Sequence, residues 1–208
     1  MPDSLCGRRV GVALVVVAAL AGCDAQTPVA APSAPAQTSA TVPSATPSPA
    51  GPSYSAAELD LCARTDLAPL EDLALTVTRT DPKPPPGRPG AACLFEMRTR
   101  SGHEANLLVE ASTPATAEEA RLLYLGTREA TGMTPAGPVA QVGEEAEAFT
   151  KRSTPGFRYA EYMVHSRTGN LVVKVWLAVG GESYLPTETL ASASRVILTA
   201  TRSAVPRI

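Results

Sequence analysis

The groups that could do chemistry are few in this 208-residue chain: four Cys and two His stand out among 18 Lys and Arg and 20 Asp and Glu. His103 lies in Ser101-Gly102-His103-Glu104, and His165 lies within Met163-Val164-His165-Ser166. Neither imidazole has a second at ligand spacing, so a zinc set is not expected. Both read as surface residues, His103 at a hairpin tip and His165 near the end of a strand. The chain has no G-x-S-x-G elbow, no Ser-x-x-Lys with partner motifs and no Gly-rich phosphate loop ending in Lys-Ser/Thr. Glu144, Glu145 and Glu147 cluster beside Gly143. They lack the alternating oxygen ligands of a calcium loop and read as a solvated turn. The expectation is therefore no catalytic residue, no metal and no cofactor. A formal net charge of −2 adds that nucleic acid is not the partner, because that would need a basic stripe to displace counterions.

The four Cys sort by position. Arg8 and Arg9 precede an apolar run, Val10–Leu20, which ends in Leu20-Ala21-Gly22-Cys23. Eleven residues are too few to span a bilayer, which needs roughly 20, but suit the core of a secretory signal. The four residues to Cys23 resemble the lipobox of bacterial lipoproteins, in which the Cys receives a diacylglyceryl group and becomes the first residue after cleavage. Two acyl chains hold a protein on a membrane stably where one does not. This places residues 1–22 in a signal peptide and the mature chain on the outer face of a cell membrane. An ordinary secretory signal with a Cys near the cut is the alternative. The Arg pair alone does not establish a twin-arginine route. Cys6 leaves with the signal, and Cys62 and Cys93 remain. An even pair in an exported domain reads as a disulfide.

The elements that position these groups follow. Residues 23–53 form a tether: from Asp24 to Ser53 seven of 30 residues are Pro, and most of the others are Ala, Ser or Thr. Such a stretch cannot bury enough apolar surface to order itself. It would reach from about 30 Å as a coil to about 90 Å as polyproline II. All nine aromatics lie from Tyr54 onward, so residues 54–208 make the single domain. Ser55-Ala56-Ala57-Glu58 has capping-box spacing and predicts a short helix carrying Leu59 and Cys62. A second turn or helix follows over Ala68–Leu73. Strands are expected at Leu75–Thr80, Ala92–Thr99 and Ala105–Ala111, with the Pro-rich Asp81–Gly90 as an exposed loop. Thr116-Ala117-Glu118-Glu119 caps a helix ending at Gly132. Val139–Val142 and Ala146–Lys151 flank a turn at Gly143. Phe157–Arg167 and Asn170–Val179 form a hairpin turning at Thr168-Gly169, and Pro186–Arg202 is a last helix with Leu190, Ala193, Ile197 and Ala200 on one face.

Pairing Arg167 with Asn170 puts Tyr162, Val164, Val173 and Val175 on one face of that hairpin. The opposite face mixes Tyr159, Met163, Val172 and Trp176 with Glu161 and Lys174. It is too apolar for open surface and too charged for deep core, so a helix should cover part of it. The expected fold is α+β, a mainly antiparallel sheet with helices on both faces. Tyr159, Met163 and Trp176 are the candidate ligand-binding residues, between sheet and helix.

The order of elements resembles an actinobacterial lipoprotein family of unknown function. The features are the lipobox and tether, Leu61-Cys62, Ala92-Cys93-Leu94-Phe95 opening a strand, Val142-Gly143-Glu144-Glu145-Ala146 before another, and a closing hairpin and Ala-rich helix. The likeness runs from about Leu59 to Val205, with Phe95 where the family often has Trp. It implies a PsbP/Mog1-like or sensor-like α/β sandwich and brings no catalytic residues. The function expected is a lipid-anchored, non-catalytic binding or interaction module of the bacterial envelope, with a lipid, glycan or protein partner. An envelope hydrolase with an unrecognised site and a structural spacer are the alternatives.

Overall fold

The computed structural model describes residues 51–208. Cys6, Cys23, the signal peptide and nearly all of the tether lie outside the described residues. The elements run α1 (Leu61–Arg64), a 3-10 turn (Ala68–Leu73), β1 (Thr76–Pro82), β2 (Gly90–Arg98), β3 (Glu104–Ser112), α2 (Ala117–Ala130), β4 (Thr134–Pro138), β5 (Glu145–Ser153), β6 (Arg158–Thr168), β7 (Leu171–Gly181) and α3 (Thr187–Ala204). The strands form one seven-stranded sheet in the order β1-β2-β3-β7-β6-β5-β4. Every neighbouring pair is antiparallel. Two meanders, β1 to β3 and β4 to β7, are thus joined by the α2 crossover and meet along β3 and β7.

Period-2 alternation decides the layers. On β7, Val173, Val175, Leu177 and Val179 point to one face and pack with Leu107, Val109, Tyr162 and Val164. Leu190, Ala193, Ile197 and Leu198 of α3 close that face, with Leu61 of α1 and Leu70 of the 3-10 turn beside them. Val172, the next residue along β7, points the other way and packs under Ala120 and Tyr124 of α2. Helices therefore cover both faces, but unequally. The α3 face holds most of the buried apolar side chains. At about 1.5–3 kcal/mol for each large aliphatic or aromatic side chain, it supplies most of the hydrophobic stability.

Half of the box expected at α2 forms: Thr116 Oγ1 accepts from Glu119 N–H at 3.0 Å, while the Glu119 carboxylate accepts from the N–H of Ala115, one residue before the cap, at 3.0 Å. The Ser55 box is not used. Ser55 N–H donates to the Pro206 carbonyl and Ala56 N–H to Thr113 Oγ1, while Asp60 caps α1 instead. Long-range bonds have taken the donors that a local helix would have needed. The strand expected at Val139–Val142 lies instead at Thr134–Pro138, where β4 is the sheet edge. An edge strand is bonded on one side only, so it tolerates Pro135 and Pro138. The last hairpin turns at Gly169-Asn170, not Thr168-Gly169, with Thr168 opposite Leu171. The shift is two residues along one strand, so every side chain keeps its face. Gly169 takes φ 55°, and a Cβ there would run into the Pro52 carbonyl. Asn170 fixes the turn through its side chain, which bonds to Tyr54 and Pro114.

Cys62 and Cys93 form the disulfide, with Cα atoms 5.1 Å apart and a sequence separation of 31. It ties α1 to β2 on the α3 side. Lys83–Pro89 forms the loop it encloses, and Arg88 anchors that loop to Glu110 on the opposite face at 3.0 Å.

Candidate functional site

The register stacks the second face into rows. Leu108, Trp176, Met163 and Phe149 lie side by side across β3, β7, β6 and β5. Glu110, Lys174, His165 and Glu147 form the row nearer the start of α2. Asn106, Ala178, Glu161 and Lys151 form the row on the other side. α2 lies over the His165 row and ends at Ala130, close to the Trp176 row. There Thr131 Oγ1 contacts Met163 Sδ at 3.7 Å. Beyond this point no helix among the described residues covers the sheet. The result is an open groove of about 410 Å³, with Leu108, Met163 and Trp176 as its floor and Lys151, Glu161, Lys174, Thr127 and Thr131 on its walls. That volume lies within the range of small-molecule sites.

Trp176 is half-buried, and its Nε1–H donates to Glu161 Oε2 at 3.1 Å. The indole is thus held by its edge to the neighbouring strand. Met163 is buried beneath it. Tyr159 does not line this groove. It lies one row beyond the Glu161 row, opposite Gly180, where its hydroxyl accepts from Asn106 Nδ2 at 3.2 Å. Burial pushes the Tyr159 phenol above its ordinary value, and the Asn106 bond only partly opposes this. Of the three expected ligand-site residues, the structure brings Met163 and Trp176 together and leaves Tyr159 alongside. Leu108, Lys151, Glu161 and Lys174 complete the groove. Period-2 reading marked Glu161 and Lys174 as sharing the face, but Leu108 and Lys151 join it only through β3 and β5.

The row under α2 is closed by a carboxylate at each end, each paired with its inner neighbour. Lys174 Nζ reaches Glu110 at 2.7 Å, and His165 Nε2 reaches Glu147 at 3.1 Å. Arg128 of α2 approaches the other Glu147 oxygen at 3.5 Å. Burial raises the Glu110 carboxyl, yet Lys174, Arg88 and Ser112 together hold it below the usual range. His165 is not a surface residue: its side chain has 0% exposure. It stacks on Tyr124 at 4.2 Å between ring centroids and meets Phe149 edge-on at 5.5 Å. Its Nδ1 has no hydrogen-bond partner among the described residues. Burial dominates its titration and pushes the imidazole below its ordinary value, although Glu147 acts the other way. Burial and the charges of Glu147 and Glu145 likewise push the Tyr124 phenol up.

The acidic cluster is not a free solvated turn either. Arg167 bonds to Glu144 at 2.7 Å and to Glu145 at 2.6 Å, and Arg121 lies 3.6 Å from Glu145. Burial disfavours the Arg167 charge, but these two carboxylates hold its guanidinium above the ordinary value. His103 sits at its hairpin end as expected, paired with exposed Glu182 at 2.9 Å and leaning on the Phe157 ring at 5.1 Å. A larger groove of about 540 Å³ runs between β4 and α3, past Ala136, Tyr162 and Arg195. It lacks a half-buried aromatic floor. No group of three or more His, Cys, Asp or Glu could hold a metal among the described residues, and no helix there is long and apolar enough to cross a membrane.

The Trp176 groove can therefore offer an aromatic face, a thioether and both signs of charge to a ligand. His165 and Glu147 are enclosed beneath Tyr124, where they serve packing and charge pairing. Comparisons with protein-family models, with curated proteins and with solved structures return no match.

Proposed function

We propose that this chain is a lipid-anchored, non-catalytic binding module of the bacterial envelope, attached through diacylglyceryl-Cys23 and carried on the 23–53 tether. The observation that supports binding is the uneven cover of the sheet. One face is sealed by α3, while the other is only partly shielded by α2 and leaves Trp176, Met163 and Leu108 flooring a groove walled by charge. Trp176 is half-buried with its N–H satisfied by Glu161, so its exposed part can meet a ligand without leaving a donor unpaired. The two imidazoles fit a non-catalytic reading, since Glu147 and Tyr124 enclose one and Glu182 holds the other. The signal and lipobox support the outer face of the cell membrane as the location. Membership of the actinobacterial lipoprotein group rests on the lipobox, tether and short sequence motifs, and a PsbP/Mog1-like sandwich is the finer fold reading that goes with it.

Two measurements test this reading. Cys23→Ala should move the protein from the membrane pellet to the soluble fraction, and mass spectrometry of the wild-type N-terminal peptide should show the lipid. A variant that still pellets, with no lipid mass on the wild type, refutes the anchor. For binding, the full chain in detergent should melt at a higher temperature in the presence of an envelope extract. The gain should shrink when Trp176 is replaced by Ala. An equal gain in both proteins would show that the groove is not the site.

A further inference from the structure

We infer that the ligand of this face is an oligosaccharide, with its sugar rings stacked on Trp176 and Tyr159. The inference rests on the binding reading above and assigns its chemistry. Tyr159 stands on β6 opposite Gly180, yet its hydroxyl reaches Asn106 on β3, two strands away. The ring reaches it only by lying across β7. The residues of β7 there make this possible: Ala178 is small and fully buried, and Gly180, which has no side chain, leaves its place to the Phe157 ring. The Trp176 indole is drawn toward the same Ala178 row by its bond to Glu161 at 3.1 Å. Phe157 extends the floor, with its ring over Gly180 and edge-on to Tyr159 at 5.8 Å. Both polar aromatics are thus tied down at their edges, and both are half-buried. Rings held this way keep a fixed orientation over the sheet.

A sugar has the complementary shape. Its ring carries C–H groups on its faces and hydroxyls around its rim. The faces match aromatic planes, and the hydroxyls match the carboxylate of Glu161, the amide of Asn106 and the ammonium of Lys151, which share one row between the two rings. Along β7, Trp176 and Gly180 stand about 14 Å apart at 3.4 Å per residue. Both rings lean inward from these positions toward the Ala178 row, so they form one continuous platform for adjoining sugars. An acyl chain suits it less well. It would lie in an open groove whose walls are Lys151, Glu161 and Lys174, with apolar contact along the floor alone.

Trp176 is the single Trp of the chain, so its emission reports this site directly. The full chain in detergent is titrated with chitotetraose, mannotetraose, galactotetraose and arabinotetraose, and separately with oleate. The expected result is a saturable change in emission with at least one tetrasaccharide. Tyr159→Ala should weaken that binding about tenfold. Lys151→Ala, at an exposed position, should weaken it about threefold and gives the same test if the Tyr variant does not fold. A response to oleate alone overturns the glycan assignment while leaving the groove a ligand site. Silence with all five probes also overturns it, and the extract-induced melting shift then judges the broader reading separately. A sugar response unchanged in both variants places the sugar elsewhere and overturns the assignment too.

Discussion

Replacing Asn170 by Ala should destabilise the domain far more than a turn residue ordinarily would. The Asn170 side chain is 8% exposed and makes three hydrogen bonds to backbone. Its Oδ1 accepts from Tyr54 N–H at 2.7 Å, and its Nδ2 donates to the carbonyls of Tyr54 at 3.1 Å and Pro114 at 2.9 Å. Ala removes all three and strands one N–H and two carbonyls in a site the protein has dried. A typical bond is worth about 1 kcal/mol net, and a stranded buried group costs about 1–3 kcal/mol. The carbonyls recover part of this from water near the sheet end, which leaves a loss of roughly 3–4 kcal/mol. For a domain of this size that is about 6–16 °C in melting temperature. Asn170→Asp should be no better, because it keeps the acceptor but turns a carboxylate toward two carbonyls. Urea unfolding of the oxidised protein, followed by circular dichroism, measures the difference. A loss below about 1 kcal/mol with an unchanged m-value would refute the account, since the three bonds would then be contributing almost nothing.

Two further outcomes follow from the disulfide and from His165. Substituting both Cys62 and Cys93 by Ala should cost about 3–4 kcal/mol, the chain entropy of a loop closed over a separation of 31 residues; an unchanged urea midpoint would show that the bridge constrains nothing. His165 should make stability depend on pH. Burial holds its folded-state value below that of the unfolded chain, so on acidification the unfolded state takes up the proton first. Stability should be level above about pH 6.5 and fall below it, by at most about 1.4 kcal/mol per pH unit until the folded imidazole also protonates. His165→Phe keeps a ring between Tyr124 and Phe149 and should flatten that slope between pH 7 and 5.5. The same slope in the variant would assign it to other groups.

What the sequence makes legible is what depends on near neighbours. The alternation Tyr162, Val164 and Val173, Val175 identifies the core face even with the turn misplaced, because a shift of two residues preserves it. The Thr116 cap works because its donor has no competing partner. What stays hidden depends on distant ones. The Glu144, Glu145 and Glu147 cluster looks solvated until Arg167, Arg121 and Arg128 arrive from β6 and α2. His165 looks exposed until Tyr124 lands on it. The groove beside Trp176 depends on where α2 stops over the sheet, and no local pattern records that. Tyr159 was legible as a residue of the second face, but its reach across β7 to Asn106 was not.

The seam between the two meanders has a consequence for how the chain becomes this structure. β1 to β3 and β5 to β7 each close through short turns, so their ladders can form early and independently. The β3–β7 ladder cannot. Leu108 and Trp176 face each other there from about 70 residues apart, and that loop must close before the pairing returns anything. The slow step of folding should therefore be the docking of two preformed half-sheets. Trp176 sits on the seam, so its emission should change in that step, after the strand signal of the separate halves has already appeared.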